Sequence, residues 1–184
     1  ARDAGAIVIC DEVQTGMGRC GSLLCSDLYG VEPEVVTLAK AIAGGIPMGA
    51  CMWRGKGNVF TAGDHQSTFG GNPLACAAGK VVVETVSDWD FLNRVNQAGD
   101  YIRSVISEWN LPIIKEVRGK GLMIGTQLVS EVKPFDVEVH CLEKGLCTTV
   151  AGNDVIRFFP LLNISDKEID EGLEIYHSVL KQFC

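Results

Sequence analysis

The chain has 184 residues, 47% of them apolar and 21% charged, and a formal net charge of −7. That is the composition of a globular chain about one domain long, able to bury roughly 70% of the surface its unfolded form exposes. The acidic balance, with no cluster of Lys and Arg, argues against nucleic acid or any other polyanion as a partner.

Taken in chain order, the first element is a short β-branched strand over 6–10 that ends at Asp11-Glu12. A second strand over 35–38 ends just before Lys40, with a short helix over 22–29 crossing between them. Gly44-Gly45-Ile46-Pro47 turns the chain into a third strand over 49–53. Asn72-Pro73 reads as an N-cap followed by a first-turn proline, and the small residues of LACAAGKVVVETV suit close packing of the helix they open. Ser87-Asp88-Trp89-Asp90 resembles a capping box for a helix whose Leu92, Val95, Ala98, Ile102, Val105 and Trp109 share one face. Strands over 113–117 and 122–128 flank a glycine hairpin at Arg118-Gly119-Lys120-Gly121. A helix over 135–144, strands over 146–150 and 155–159, and a last helix complete the pattern. Ser165-Asp166-Lys167-Glu168 caps that last helix, and Ile169, Leu173, Tyr176, Leu180 and Phe183 form its stripe. The order of elements is that of an α/β chain, divided at 1–86 and 87–184.

Eight cysteines, at positions 10, 20, 25, 51, 76, 141, 147 and 184, form no CxxC pair and share no interval. They read as reduced thiols of a cytosolic protein. His65, His140 and His177 make no zinc pattern with them, so no metal is expected. The apolar stretch around Lys40 is broken by Pro47 and glycines, which argues against a membrane span. No targeting segment is recognisable.

Lys40 is the only charged side chain between Val35 and Trp53. An ammonium in apolar surroundings is costly unless it is neutral, paired or covalently used. Consecutive strands of a parallel sheet leave their carboxyl ends on one edge, where ligands of open α/β sheets bind, so Asp11 and Lys40 are expected to face one crevice. Pyridoxal-phosphate chemistry needs such a pair: a lysine to join the cofactor aldehyde and a carboxylate behind the pyridine nitrogen. On spacing alone, an Asp capping a loop and a Lys snorkelling from a strand end explain the pair better.

Five strings narrow the choice. DEVQTGMGRCG, TLAKAIAGGIPMGA, HQSTFGGNPLACAAG, EVRGKGLMIG and VIRFFPLLNIS resemble, in order and spacing and over nearly the whole chain, the class III (subgroup II) pyridoxal-phosphate-dependent aminotransferases. The acetylornithine and succinylornithine branch is nearest, with the ornithine and 4-aminobutyrate branches further off. The resemblance implies a fold-type-I architecture: the end of a large, mostly parallel sheet domain with its interdomain helix, then a small carboxy-terminal α/β domain. It implies that Lys40 joins the cofactor and later moves a proton, and that Asp11 holds the pyridine nitrogen. Val13 is implied to pack on the ring and Gln14 to bond its phenolic oxygen. Thr68 is implied to reach across a homodimer interface to the partner's cofactor phosphate, Ser67 to contact substrate and Arg157 to clamp a substrate carboxylate. Glu12 is expected to orient the loop, while Arg19 and Arg118 are expected to be structural.

The sequence departs from the family pattern at Cys20, where Thr is usual, and at Leu161, where Pro or Ala is common. Family members are usually far longer, so the chain is expected to be the carboxy-terminal portion of one, without the phosphate-cradling loop. The implied activity moves the terminal amino group of N-acetylornithine, or a related ornithine derivative, to 2-oxoglutarate in cytoplasmic arginine metabolism. The alternatives are an ornithine or 4-aminobutyrate aminotransferase, a decarboxylase or aminomutase of related fold, or a catalytically incomplete structural module.

Overall fold

The computed structural model describes residues 1–55 and 59–184, which fall into two compact units, Ala1–Leu92 and Asn93–Cys184. In the first unit, β1 (Ile9–Asp11) and β2 (Val35–Leu38) run parallel, with Ile9 opposite Val35, Cys10 opposite Val36 and Asp11 opposite Thr37. The third strand, β3 (Ala50–Trp53), pairs with β2 in the antiparallel sense, and the sheet order is β1-β2-β3. The link from β2 to β3 holds only a 3-10 turn at Lys40–Ala43, not the crossover helix that a parallel return requires. The helix expected over 22–29 contracts to a 3-10 turn at Cys25–Tyr29, closed by Gly30.

Helix α1 (Pro73–Val86) begins as its sequence predicts: the Asn72 side chain accepts a 2.9 Å hydrogen bond from the Ala75 amide, and proline occupies the first turn. Its small residues bring it close to the turn after β2, because a Cβ on Gly79 would lie 3.3 Å from the carbonyl oxygen of Ile42. Asp88, not the expected Ser87, caps the next helix by accepting a 2.9 Å bond from the Phe91 amide. Ser87 instead ends α1, in helical conformation with its amide bonded to Val83.

The second unit contains most of α2 (Trp89–Glu108), which buries Val95, Ala98, Ile102 and Ile106. Its sheet joins β4 (Ile114–Lys120), β5 (Met123–Leu128), β6 (Thr149–Ala151) and β7 (Val155–Phe158) in the antiparallel order β4-β5-β7-β6. The β4–β5 hairpin is tighter than its glycines suggest. Arg118 already pairs with Gly125 and Lys120 with Met123, leaving Gly121-Leu122 as the turn. At Gly99 a Cβ would stand 2.0 Å from the Gly121 carbonyl oxygen, so helix and hairpin meet backbone to backbone and no larger residue fits. Helix α3 (Pro134–Glu143) buries Val137 and Cys141. Helix α4 (Asp166–Leu180) carries the expected reciprocal capping box of Ser165 and Glu168 and buries Ile169, Leu173, Tyr176, Val179 and Leu180. Among the described residues no helix is long and apolar enough to cross a membrane.

Candidate active site

The carboxyl ends of β1 and β2 lie side by side because the parallel ladder aligns Asp11 with Thr37. Asp11 is exposed, and its two oxygens differ. Oδ1 accepts hydrogen bonds from the Val13 amide (3.1 Å) and from the Thr37 hydroxyl (3.0 Å). Oδ2 has no hydrogen-bond partner among the described residues.

Glu12, next in the chain, points the other way and is buried. Its amide continues the ladder to the Thr37 carbonyl at 2.9 Å. Its carboxylate accepts from the Thr15 hydroxyl (2.7 Å) and from the amides of Cys25 (2.9 Å) and Ser26 (2.6 Å). Those two amides open the Cys25–Tyr29 turn, where they have no partner within the turn, so Glu12 caps it from a distant part of the chain. Burial alone would push Glu12 up, but the donors from Thr15, Ser26 and Cys25 outweigh it and hold the group below its ordinary value. The expectation that Glu12 orients the loop gains a mechanism here. Gly16 completes the turn, since a Cβ there would meet the Leu38 side chain at 2.7 Å and the Glu12 carbonyl oxygen at 2.9 Å.

Lys40 lies three residues beyond Thr37, at most roughly 10 Å of extended chain. It opens its 3-10 turn with φ +50°, a left-handed conformation that lysine seldom adopts. The turn buries Ile42 and Ala43 and leaves Lys40 exposed. The apolar enclosure expected from its sequence neighbours is therefore corrected: those neighbours face inward and the lysine does not. Among the described residues the amine has no hydrogen-bond or ion-pair partner.

Val13 and Gln14 are half-buried on the turn that carries Asp11. Elsewhere in the first unit, Ser67 accepts a 2.9 Å bond from the Gly70 amide and lines a cavity of about 650 Å³ with Trp53, Phe60, Thr61 and His65. Neither Asp11 nor Lys40 lines that cavity. Thr68 is exposed, with no hydrogen bond among the described residues.

Arg157 belongs to the second unit, on β7. Its Nε donates to the Thr149 hydroxyl at 3.2 Å, and its guanidinium lies 4.8 Å from the centre of the Phe159 ring. Arg118 takes the structural part expected of it, bonded to Glu116 (2.6 Å) and Gln127 (2.9 Å).

The structure thus brings Asp11, Val13 and Lys40 to one sheet edge and adds Thr37, which the sequence had not singled out. The signal for it was slight: Thr37 is the one polar side chain in the strand VVTL. An anchored carboxylate with one open oxygen at the end of β1, and on the turn after β2 a primary amine with no partner among the described residues, fit a group that bears a protonated ring nitrogen at one end and an aldehyde at the other.

A family model described as Aminotransferase class-III matches residues 1–180. Among curated proteins, the acetylornithine aminotransferase of Caldanaerobacter subterraneus is 44% identical over 178 residues, covering 96% of this chain and 45% of that protein. The acetylornithine aminotransferase of Lactococcus lactis is 42% identical over 180 residues, covering 96% and 47%. Among solved structures, the N-acetylornithine aminotransferase of Stenotrophomonas maltophilia K279a superposes with a TM-score of 0.88 at 34% identity, over 99% of this chain and 49% of that one. The ornithine aminotransferase of Toxoplasma gondii superposes with a TM-score of 0.90 at 32% identity, over 99% and 45%. The chain spans about half the length of the relatives it matches.

Proposed function

We propose, for a chain that belongs to the class-III aminotransferases, that its complete gene product moves the terminal amino group of N-acetylornithine, or a related ornithine derivative, to 2-oxoglutarate. The products are a semialdehyde and glutamate. The observation that carries this reading is the alignment of Asp11 with Thr37 at the ends of two parallel strands, with Lys40 opening the turn that follows β2. The names of the acetylornithine relatives support the choice of donor.

Class-III aminotransferases are pyridoxal-phosphate enzymes, and the cofactor, when bound, supplies an electron-withdrawing pyridinium. Lys40 would hold it through Nζ, and the same Nζ, when free, would move a proton from the carbon bearing the transferred nitrogen. Asp11 would accept the ring N–H through Oδ2, Val13 would lie against the ring, Gln14 would bond its phenolic oxygen, and Ser67 would contact the substrate. Arg157 offers a planar fork to the donor's carboxylate and so fixes its orientation. Residues 1–86 form part of the cofactor domain and 87–184 the small domain. The enzyme works in the cytoplasm as a homodimer in which Thr68 serves the partner's cofactor phosphate.

The test is spectroscopic. The complete gene product should show a visible cofactor band that disappears on adding N-acetylornithine, while glutamate forms once 2-oxoglutarate is supplied. Lys40→Ala should lack the band. No band in either protein refutes the reading, and release of carbon dioxide in place of glutamate would make the enzyme a decarboxylase. The ornithine aminotransferase neighbours favour free ornithine as the second candidate donor, so kcat/KM compared for N-acetylornithine, ornithine and 4-aminobutyrate decides between branches.

A further inference from the structure

We propose that Thr37 is a positioning residue that aims Asp11 at its ligand, an inference that rests on the pyridoxal-phosphate reading above. An aspartate at a strand end can turn its carboxylate plane freely unless something stops it. Here both restraints fall on the same oxygen: the Val13 amide comes from Asp11's own turn and the Thr37 hydroxyl from the neighbouring strand. The second is set by the ladder itself, because Thr37 is Asp11's register partner. Its carbonyl also accepts the Glu12 amide. One residue of β2 therefore fixes both the backbone beyond Asp11 and the plane of its side chain. A β-branched side chain is stiff at χ1, so the hydroxyl is held ready and does not have to be ordered when the ligand arrives. Oδ2 stays open, and that is the oxygen a ring N–H needs. Among Val35, Val36 and Leu38 a fourth aliphatic residue would satisfy the strand equally well, so the hydroxyl adds something that strand packing does not call for.

The test uses the complete gene product, stripped of cofactor, and two probes: pyridoxal 5′-phosphate and its 1-deaza analogue, whose ring carries carbon in place of the nitrogen. Dissociation constants come from equilibrium dialysis. The wild type should prefer the natural cofactor. Thr37→Val, which keeps the shape and loses the hydroxyl, should bind it about tenfold more weakly while its affinity for the deaza analogue barely changes. Thr37→Ser should restore the preference, and Thr37→Ala should repeat the loss in a smaller side chain. Equal weakening toward both probes would show a merely structural part for Thr37 and overturn the proposal, as would an unchanged preference in Thr37→Val and Thr37→Ala. A wild type that binds neither probe overturns the cofactor reading itself, a result distinct from either of these.

Discussion

The two units are ordered by different means. In the second, three helices bury stripes of aliphatic residues, and side chains such as Val95, Ile106, Leu122, Val137 and Ile156 are wholly enclosed. In the first, the strands are short and long stretches of chain are closed by hydrogen bonds from side chains to backbone. Large apolar groups there remain in the open, including Phe69 at 81% exposure and Leu74 at 70%. The residues with chemical potential at the strand ends, Asp11 and Lys40, belong to the less enclosed unit. Geometry at that edge is set by named polar contacts more than by core volume, so changes there should separate activity from stability in a way that core changes do not.

The largest separation is expected from Lys40→Ala. Turnover to glutamate should fall roughly a thousandfold or more, while the thermal midpoint of the cofactor-free protein stays put, because the side chain is exposed and has no partner among the described residues. A melting temperature lowered as far as that of a core variant would break the comparison. Ile156→Ala is the opposite case. Its cavity should cost about 2–5 kcal/mol in denaturant unfolding, while kcat per folded molecule is retained.

Glu12→Gln lies between the two. It replaces an acceptor of three hydrogen bonds by an amide that must turn a donor toward one of them, and it should cost about 2 kcal/mol at neutral pH. Because the folded state holds Glu12 below its ordinary value of 4.5, that contribution is complete above the unfolded value and is lost as pH falls through the folded one. Unfolding curves from about pH 7 to about pH 3 should therefore show variant and wild type converging on the acid side. A gap that widens on acidification would contradict the assignment. The smallest effect is expected from Asn72→Ala, about 1 kcal/mol for a lost cap, seen in hydrogen exchange as faster opening of the first turn of α1 with the β4–β5 hairpin unaffected.

The second unit was largely legible because its order is periodic. The Ser165 box and the α4 stripe from Ile169 to Leu180 stand where the sequence puts them, but the helix ends at Leu180 and leaves Phe183 half-buried in a 3-10 turn, and α2 differs chiefly in burying Ile106 where Val105 was expected. The hairpin was placed correctly but its turn was not, since the ladder runs on through Arg118 and Lys120. In the first unit β1, β2 and the Asn72 cap could be read. The direction of β3 could not, because it depends on what the connecting segment fails to form. Nor could the loop closure by Glu12, whose amide partners lie 13 and 14 residues away and leave no periodic trace. At the candidate site, Asp11 and Lys40 stood out as charges at strand ends. Thr37 was concealed by being a good strand residue, and the exposure of Lys40 was concealed by neighbours that a 3-10 turn sends to the other side.

The parallel ladder between β1 and β2 has three rungs, and the last one seats Asp11 against Thr37. Side chains alternate between faces along a strand, so a slip of one residue would carry the carboxylate through to the opposite side of the sheet. Natural variation in this stretch should accordingly run to exchanges of one aliphatic residue for another. Insertions and deletions should be confined to those parts of the long connection between the two strands that Glu12 does not pin, away from Thr15, Gly16, Cys25 and Ser26.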